Sequence, residues 1–229
     1  MNPERQKIAE DVVKASKILI KRGICEAFGH VSARLPDSDR FLITPSLSLA
    51  MVRGPEDLVE MNLKGEKVEG RNRQPYEVWL HTCLYRERPD VGGIARTHSF
   101  TTSAFAIAGE PVRPVHDFGC TMVGETPVFQ DPRLIEDEEI GSRLAQFIGK
   151  GAGALLRGNG TAIVGKDVPE AVVRAIYLEE SALLQLKAKQ IGQPIYFTPR
   201  EIQERSVDAL KSPHVLRAWQ HYCWEAGVS

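Results

Sequence analysis

The sequence lacks the features that mark secreted, membrane-spanning and nucleic-acid-binding proteins. Its four cysteines are scattered over 229 residues without a Cys-x-x-Cys pair, which favours reduced thiols in a cytoplasmic protein over a disulfide framework. No apolar run approaches the roughly 18 residues of a membrane-spanning helix, and no secretion signal opens the chain. The formal net charge of −1 lacks the basic excess typical of nucleic-acid-binding domains. We therefore expect neither a nucleic-acid partner nor a membrane partner.

Repeats, linkers and low-complexity segments are also missing. With 42% hydrophobic and 26% charged residues, the composition is that of an ordinary globular protein. A chain of this length can be built around one core, because single cores grow to about 250 residues before they split. We predict a single domain over residues 1–229.

Helix-like and strand-like periods alternate along the chain. Apolar residues recur at helical spacing over residues 4–22, 77–88, 136–148 and 168–190. Short β-like runs surround turn signals such as Pro36–Asp39, a hairpin signature. These patterns predict an α/β fold with a central, mostly antiparallel sheet flanked by helices. The segment from about residue 198 to 229 is expected to form a C-terminal helical tail.

The stretch Gly92–Phe100 carries the first candidate functional residues. It is a short apolar strand that ends in polar side chains, and Arg96 and His98 lie two residues apart, so they project from the same face. A guanidinium can hold a planar anion through two parallel hydrogen bonds. This stretch predicts either the floor of a site or an ordinary edge strand with a polar tip.

Six short blocks, in order and at matching spacing, resemble the class II aldolase and adducin family. That family includes sugar-phosphate aldolases and related decarboxylases, and the resemblance covers roughly residues 5–195. It implies a three-layer α/β/α domain. The blocks are Gly29-His-Val-Ser-Ala-Arg, Ile43-Thr-Pro-Ser, Pro75-Tyr-Glu, Arg88-Pro-Asp-Val, Arg96-Thr-His and Leu156-Arg-Gly-Asn-Gly.

The resemblance implies an altered metal site. The aldolases hold a divalent metal with a His-x-His strand and a later histidine, beside a glutamate that acts as acid and base. Glu77 and His98 keep two of these positions, whereas Arg96 and Asn159 replace two histidines. Arginine cannot ligate a metal, because it stays protonated and has no free lone pair. Two alternatives stay open: manganese, zinc or cobalt bound by His98 with Glu77, the loop residue His116 or the Asn159 carbonyl oxygen, or a His98 that only forms hydrogen bonds.

The positions that hold phosphate in the aldolases have changed as well. Where the family has an asparagine, a glycine and a serine pair, this sequence has His30, Leu47 and Pro75-Tyr76. Small groups that could surround a phosphate have become bulkier, so a phosphorylated sugar is disfavoured. The site resembles the family's decarboxylase branch, which acts on ring-hydroxylated aromatic or pyridine carboxylates.

This resemblance implies roles for three residues in a carbon–carbon lyase. Glu77 is the expected general acid, with a pKa raised by burial beside a substrate carboxylate. Arg96 is expected to hold a carboxylate of the small-molecule substrate, with the alternative that it fills the vacated metal position and neutralises Glu77. His98 is expected to polarise a phenolic oxygen. His81, one turn after Glu77, is expected either to orient that glutamate or to pack its helix. The expected substrate-binding residues are His30, Ser32, Thr44, Ser46, Arg73, Tyr76, Thr97, Asn159 and Tyr222.

The resemblance also implies a homotetramer with active sites between subunits. The aromatic-rich tail, with Trp219, Trp224, His214 and His221, could close a neighbour's site or pack on its own core. Two other functions remain open. One is an aldolase that cleaves an unphosphorylated hydroxy acid or sugar acid, and the other is a non-catalytic binding protein like adducin.

Overall fold

The fold is built on one eight-stranded mixed sheet in a single α/β domain. The computed structural model describes residues 2–228, apart from the side chain of residue 212. The strands are β1 (His30–Arg34), β2 (Arg40–Ile43), β3 (Val59–Asn62), β4 (Lys67–Glu69), β5 (Gly93–Thr97), β6 (Val128–Phe129), β7 (Gly153–Leu156) and β8 (Thr161–Gly165). The helices are α1 (Pro3–Lys21), α2 (Val78–Glu87), α3 (Phe100–Ala108), α4 (Glu138–Ile148), α5 (Val168–Ile191), α6 (Pro199–Ala209) and α7 (Ser212–Glu225).

The strand order is β4-β3-β2-β1-β5-β8-β7-β6. Neighbouring strands are antiparallel except for the short β6, which pairs in parallel with β7. The expected mostly antiparallel sheet flanked by helices is therefore confirmed. The predicted helical tail consists of α6 and α7.

Helices cover both faces of the sheet. Helices α1, α5 and α7 share a buried apolar cluster with one face, and α2 and α4 share another with the opposite face. Asp167 caps the start of α5 by accepting a hydrogen bond from the Glu170 N–H, with a proline in the first turn. No helix within residues 2–228 combines the length and apolar character needed to cross a bilayer.

Strand alternation decides which side chains meet α2. On β5, Ile94 packs in the cluster of α2 and α4, whereas Ala95 packs against the opposite face. Arg96 therefore projects towards α2, because successive side chains point to opposite faces. His30 on β1 pairs with Arg96 across the ladder, so the two side chains are neighbours on the same face.

Candidate active site

A cavity of about 460 Å³ opens at the end of the central strands, beside the start of α2. Its walls are largely apolar, and its polar groups come from separate parts of the chain. Such a combination of apolar walls and a few polar groups is typical of small-molecule sites. The lining residues are Ala27, Phe28, Gly29, His30, Pro45, Ser46, Leu47, Ser48, Pro75, Tyr76, Glu77, His98, Leu134 and Asn159.

Glu77 stands at the N-cap of α2, and its carboxylate is held by groups from four segments. Oε1 accepts hydrogen bonds from the Ile135 N–H at 3.2 Å and from Asn159 Nδ2 at 2.8 Å. Oε2 accepts one from Arg96 Nε at 3.1 Å and faces His30 Nε2 at 3.7 Å. The carboxylate is thus fixed at the wall of the cavity, with both oxygens engaged.

Arg96 is not placed as the predicted carboxylate clamp. It is 0% exposed and does not line the cavity. Nε and Nη2 face Glu77, with Nη2 2.9 Å from Oε2 but without a well-aligned hydrogen bond. Nη1 donates to the Thr97 carbonyl at 3.0 Å and lies 2.6 Å from His98 Nε2. The guanidinium is therefore engaged inside the protein and neutralises Glu77.

The structure also differs from the expected raised pKa of Glu77. Burial raises the pKa, but the His30 imidazole, the charge of Arg96 and the Ile135 N–H together outweigh burial. The pKa of Glu77 therefore lies well below its ordinary value. Before substrate binds, Glu77 is an ionised base and not a protonated general acid.

His98 is a neutral imidazole with a defined tautomer. Burial, followed by the positive charge of Arg96, lowers the pKa of His98 to about 4. Arginine has only N–H donors, so His98 Nε2 must accept the hydrogen bond from Arg96, and the proton lies on Nδ1. The rings of His98 and Phe28, both of which line the cavity, lie at a steep angle to each other with centroids 6.4 Å apart.

The expected metal site does not fit the residues present. The lone pair of His98 Nε2 faces a guanidinium N–H, and Glu77 Oε2 is paired with that same cation. His116 is not brought to them, because its Nε2 lies 2.8 Å from Ser181 Oγ on α5. Within residues 2–228, no group of three or more His, Cys, Asp or Glu side chains is arranged to hold a metal ion. The expected metal ligands His98, Glu77 and His116 are corrected accordingly. The guanidinium of Arg96 supplies the positive charge beside Glu77.

Four of the expected substrate-binding residues line the cavity, namely His30, Ser46, Tyr76 and Asn159. The Arg73 guanidinium lies over the ring of Tyr76, 4.5 Å from its centroid, but does not itself line the cavity.

The other four expected contacts are buried behind the cavity or away from it. The Thr44 hydroxyl accepts a hydrogen bond from the Val31 N–H, and the Thr97 hydroxyl lies 2.6 Å from that of Thr161. Ser32 contacts His81, and Tyr222 packs in the core beneath α7. These four are corrected to structural positions, because none of them reaches the cavity surface.

Sequence reasoning missed several contributions to the site, among them the following three. Leu134 lines the cavity and the Ile135 N–H binds Glu77, both from the loop after β6. Tyr85, one turn after His81 on α2, contacts Ser32. The i, i+4 spacing of His81 and Tyr85 was a usable signal for a polar face on α2, whereas nothing in the loop sequence indicated its role.

Comparisons with known proteins identify the family of this chain. The chain matches the Class II Aldolase and Adducin N-terminal domain over residues 10–186. It is 26% identical to decarboxylase tropJ of Talaromyces stipitatus, with 91% of this chain and 90% of that protein covered. It is also 26% identical to the 3,4-dihydroxyphthalate decarboxylase of Arthrobacter keyseri, with 93% and 91% covered.

Other relatives include an L-ribulose-5-phosphate 4-epimerase and an L-fuculose phosphate aldolase. Among solved structures, an L-fuculose 1-phosphate aldolase from Glaciozyma antarctica superposes with a TM-score of 0.83 at 22% identity. That superposition covers 98% of this chain and 91% of the other, and it shows the shared fold alone. The chain therefore belongs to the class II aldolase and adducin family, among relatives that are enzymes.

Proposed function

We propose that this protein is a carbon–carbon lyase that removes CO2, without oxidation, from a ring-hydroxylated aromatic or pyridine carboxylate. The observation that carries the proposal is the buried Arg96 beside an ionised Glu77, where aldolases of the family hold a metal. Decarboxylases among the relatives, each aligned over nine-tenths or more of both proteins, support the same reaction.

The chemistry of the substrate explains why a metal-ligand set can be lost. Aldol cleavage leaves a carbanion that the enzyme must stabilise with an electrophile, and a divalent metal commonly supplies it. A hydroxyaromatic acid carries its own electron acceptor, because its ortho or para hydroxyl can form a keto tautomer. The apolar walls of the cavity, including Phe28, Leu47 and Leu134, suit a planar ring.

Glu77 moves one proton in the proposed mechanism. Its carboxylate takes the proton of the substrate hydroxyl, and the electron pair of that O–H bond moves into the ring. The protonated Glu77 then delivers the proton to the ring carbon that carries the carboxylate, giving a keto intermediate. The bond to the carboxylate breaks, its electron pair returns to the ring, and CO2 and a phenolate leave. The phenolate takes a proton from water.

Arg96 acts from behind the carboxylate and favours the second stage more than the first, because a lower pKa makes Glu77 a stronger acid but a weaker base. Its charge holds Glu77 ionised and in place before the reaction. Because a depressed pKa makes the protonated carboxyl a strong acid, the same pairing favours delivery of the proton to carbon. A substrate carboxylate beside Glu77 would raise the pKa of Glu77 again, which favours removal of the hydroxyl proton.

The test is release of CO2 from a panel of hydroxylated benzoates, phthalates and pyridine carboxylates. At least one should yield CO2 and the ring product that has gained a hydrogen at the former carboxylate position. Glu77→Gln should lower kcat by roughly two to four powers of ten, the usual worth of a positioned acid or base. Glu204→Gln, at an exposed carboxylate on α6, is the matched control and should leave kcat unchanged.

Two results would contradict the proposal. One is normal turnover by Glu77→Gln, which would remove this residue from the mechanism. The other is the absence of CO2 from every member of the panel, together with aldehyde release from an unphosphorylated hydroxy acid or sugar acid. That second result would assign the protein to the aldolases.

A further inference from the structure

Behind the cavity wall, four polar side chains form one continuous hydrogen-bonded chain. His30 Nδ1 lies 2.6 Å from His81 Nε2, and His81 Nδ1 lies 2.6 Å from Ser32 Oγ. Ser32 Oγ lies 2.8 Å from the Tyr85 hydroxyl. His81, Ser32 and Tyr85 are buried, and only His30 reaches the cavity. Fully paired buried polar chains of this kind hold their members in defined orientations.

Two neighbouring elements bring the four residues together. His30 and Ser32 are two residues apart on β1, so both face α2. His81 and Tyr85 are four residues apart on α2, so both lie on the helix face that packs against the sheet. Strand and helix periodicity therefore position all four hydrogen-bonded side chains, and no loop residue takes part.

The direction of the hydrogen bonds follows from the groups at the two ends of this hydrogen-bonded series. At the cavity end, the ionised Glu77 carboxylate can only accept, so His30 must turn an N–H towards it. At the buried end, the Tyr85 hydroxyl has Ser32 as its one hydrogen-bond partner within residues 2–228, so Tyr85 donates to Ser32.

The remaining bonds then have one consistent assignment. Ser32 donates to His81 Nδ1, and His81 Nε2–H donates to His30 Nδ1. His30 keeps its proton on Nε2. The opposite direction would leave the Tyr85 O–H without an acceptor and would place a lone pair of His30 against the Glu77 carboxylate.

Both histidines stay neutral in this arrangement. Burial lowers the pKa of His30, and the charge of Arg96, its partner across the ladder, lowers it further, while Glu77 partly offsets both effects. Burial lowers the pKa of His81 well below its ordinary value, and His30 adds to this effect. The His30 Nε2–H is therefore a fixed neutral donor.

We infer that His30 is a catalytic residue whose Nε2–H binds the substrate oxygen that gains negative charge, and that His81, Ser32 and Tyr85 are positioning residues. The Nε2 atom lies 3.7 Å from Glu77 Oε2, beyond ordinary hydrogen-bond length, so the fixed N–H is available to a substrate oxygen placed between them. No proton leaves His30, which acts like a donor of an oxyanion hole. The role of His30 in turnover rests on the proposed decarboxylation.

The donor-to-acceptor direction of these hydrogen bonds is tested on the protein without substrate. Nitrogen-15 spectra of histidine-labelled protein should show His30 protonated on Nε2, with Nδ1 accepting a hydrogen bond. In His81→Leu, the Nδ1 resonance should shift to that of an imidazole nitrogen without a donor. In His81→Gln, whose amide N–H can still donate, the shift should be largely restored. Protonation of His30 on Nδ1 in the unaltered protein would overturn the inference.

The role of His30 is tested by binding two probes, 3,4-dihydroxybenzoate and benzoate, which differ by the ring hydroxyls. His30→Phe and His81→Leu should weaken binding of the hydroxylated probe by about tenfold, the usual worth of one hydrogen bond, and leave benzoate within about twofold. Thr82→Val is the matched control, because it removes a buried hydroxyl of α2 that bonds only the Val78 carbonyl.

For turnover of a substrate found in the panel, His30→Phe should lower kcat by about 10² to 10³, with a much smaller change in KM. If His81→Leu fails to fold, the variant Ser32→Ala is used in its place in each measurement, because it removes the hydrogen-bond donor to His81. Equal loss of both probes, or full kcat in His30→Phe, would overturn the role of His30. Because the spectra and the probes need no turnover, failure of the proposed decarboxylation is distinguishable from failure of this inference.

Discussion

The ion pair between Arg96 and Glu77 organises the candidate site at the scale of single residues. Spacing in the sequence predicted that Arg96 and His98 lie side by side, and they do, although β5 ends at Thr97. It could not show which other partner the long Arg96 side chain would reach. The guanidinium turns inward to Glu77, because the ladder places it beside His30 and under the start of α2. A residue expected to meet the substrate thus sets the charge state of Glu77, which lines the cavity.

Breaking this pair should be costly. Arg96→Leu should lower the free energy of unfolding by about 3–5 kcal/mol at neutral pH, because it leaves an unpaired carboxylate that is largely buried. The double variant Arg96→Leu with Glu77→Leu should recover much of that loss, since neither charge then remains. Urea denaturation of the single and double variants measures both values. Additive losses would show that the two side chains are not coupled.

The same pair should make stability depend on pH in one direction. The pKa of Glu77 is depressed in the folded protein, so the unfolded chain binds this proton first as the pH falls. The contribution of Glu77 is therefore fully present above its ordinary pKa of 4.5 and is lost at lower pH. The difference in unfolding free energy between the unaltered protein and Glu77→Gln should be constant from pH 6 to 8 and shrink below about pH 4.5. A difference that grows on acidification would reverse the assigned charge state.

At the scale of elements, the turn between β7 and β8 carries Asn159 to Glu77. Gly160 has a φ of +71°, and a Cβ there would lie 1.9 Å from the Thr97 carbonyl oxygen. Gly158 has a similar φ of +73°, but a Cβ there would meet nothing within 4 Å. The two glycines therefore separate the effect of backbone strain from that of a steric clash.

Alanine at these two positions should have unequal effects. Gly158→Ala should cost on the order of 1 kcal/mol through backbone strain alone. Gly160→Ala should cost several times more and should also displace Asn159 from Glu77, because β5 and the turn must separate. Urea denaturation and kcat of both variants measure this. Equal losses would show that the close approach to Thr97 does not matter.

Most elements were predictable from the sequence, because their signals are local. The helical period over 168–190 gave α5 within one residue at its end, and turn residues around Pro36 gave the β1–β2 hairpin. The pairing of β1 with β5, which are about sixty residues apart, and the parallel β6 depend on contacts that no local pattern contains. The hydrogen-bonded chain behind His30 depends on α2 packing against β1, a contact between elements about fifty residues apart, so it could not be derived before the structure.

At the scale of the whole molecule, the rim of the cavity carries exposed apolar side chains. Phe28 is 74% exposed, Tyr76 60% and Leu134 50%. Of the tail aromatics, Trp219 and Tyr222 pack into the core, whereas Trp224 is 71% exposed. Grouped exposed apolar residues commonly mark an interface. The homotetramer with sites between subunits remains a prediction, and these exposed side chains are the surface that we expect it to bury.

Light scattering on the purified protein measures the assembly directly. We expect a mass four times that of one chain, and Leu134→Glu should reduce this mass, because charge at a buried interface is costly. Val207→Glu, at an exposed apolar position on α6, is the control and should leave the mass unchanged. A stable monomer with full activity would remove the predicted assembly.

The central claim is that Arg96, and not a metal ion, neutralises Glu77 in a decarboxylase. The most direct measurement is CO2 release from a hydroxyaromatic carboxylate by protein dialysed against a chelator, with and without added manganese, zinc or cobalt. We predict an unchanged rate in every case, and no release by Arg96→His with Asn159→His, which restores two metal-binding histidines. Activity that disappears with the chelator and returns with a metal, or full activity in that double variant, would contradict the account.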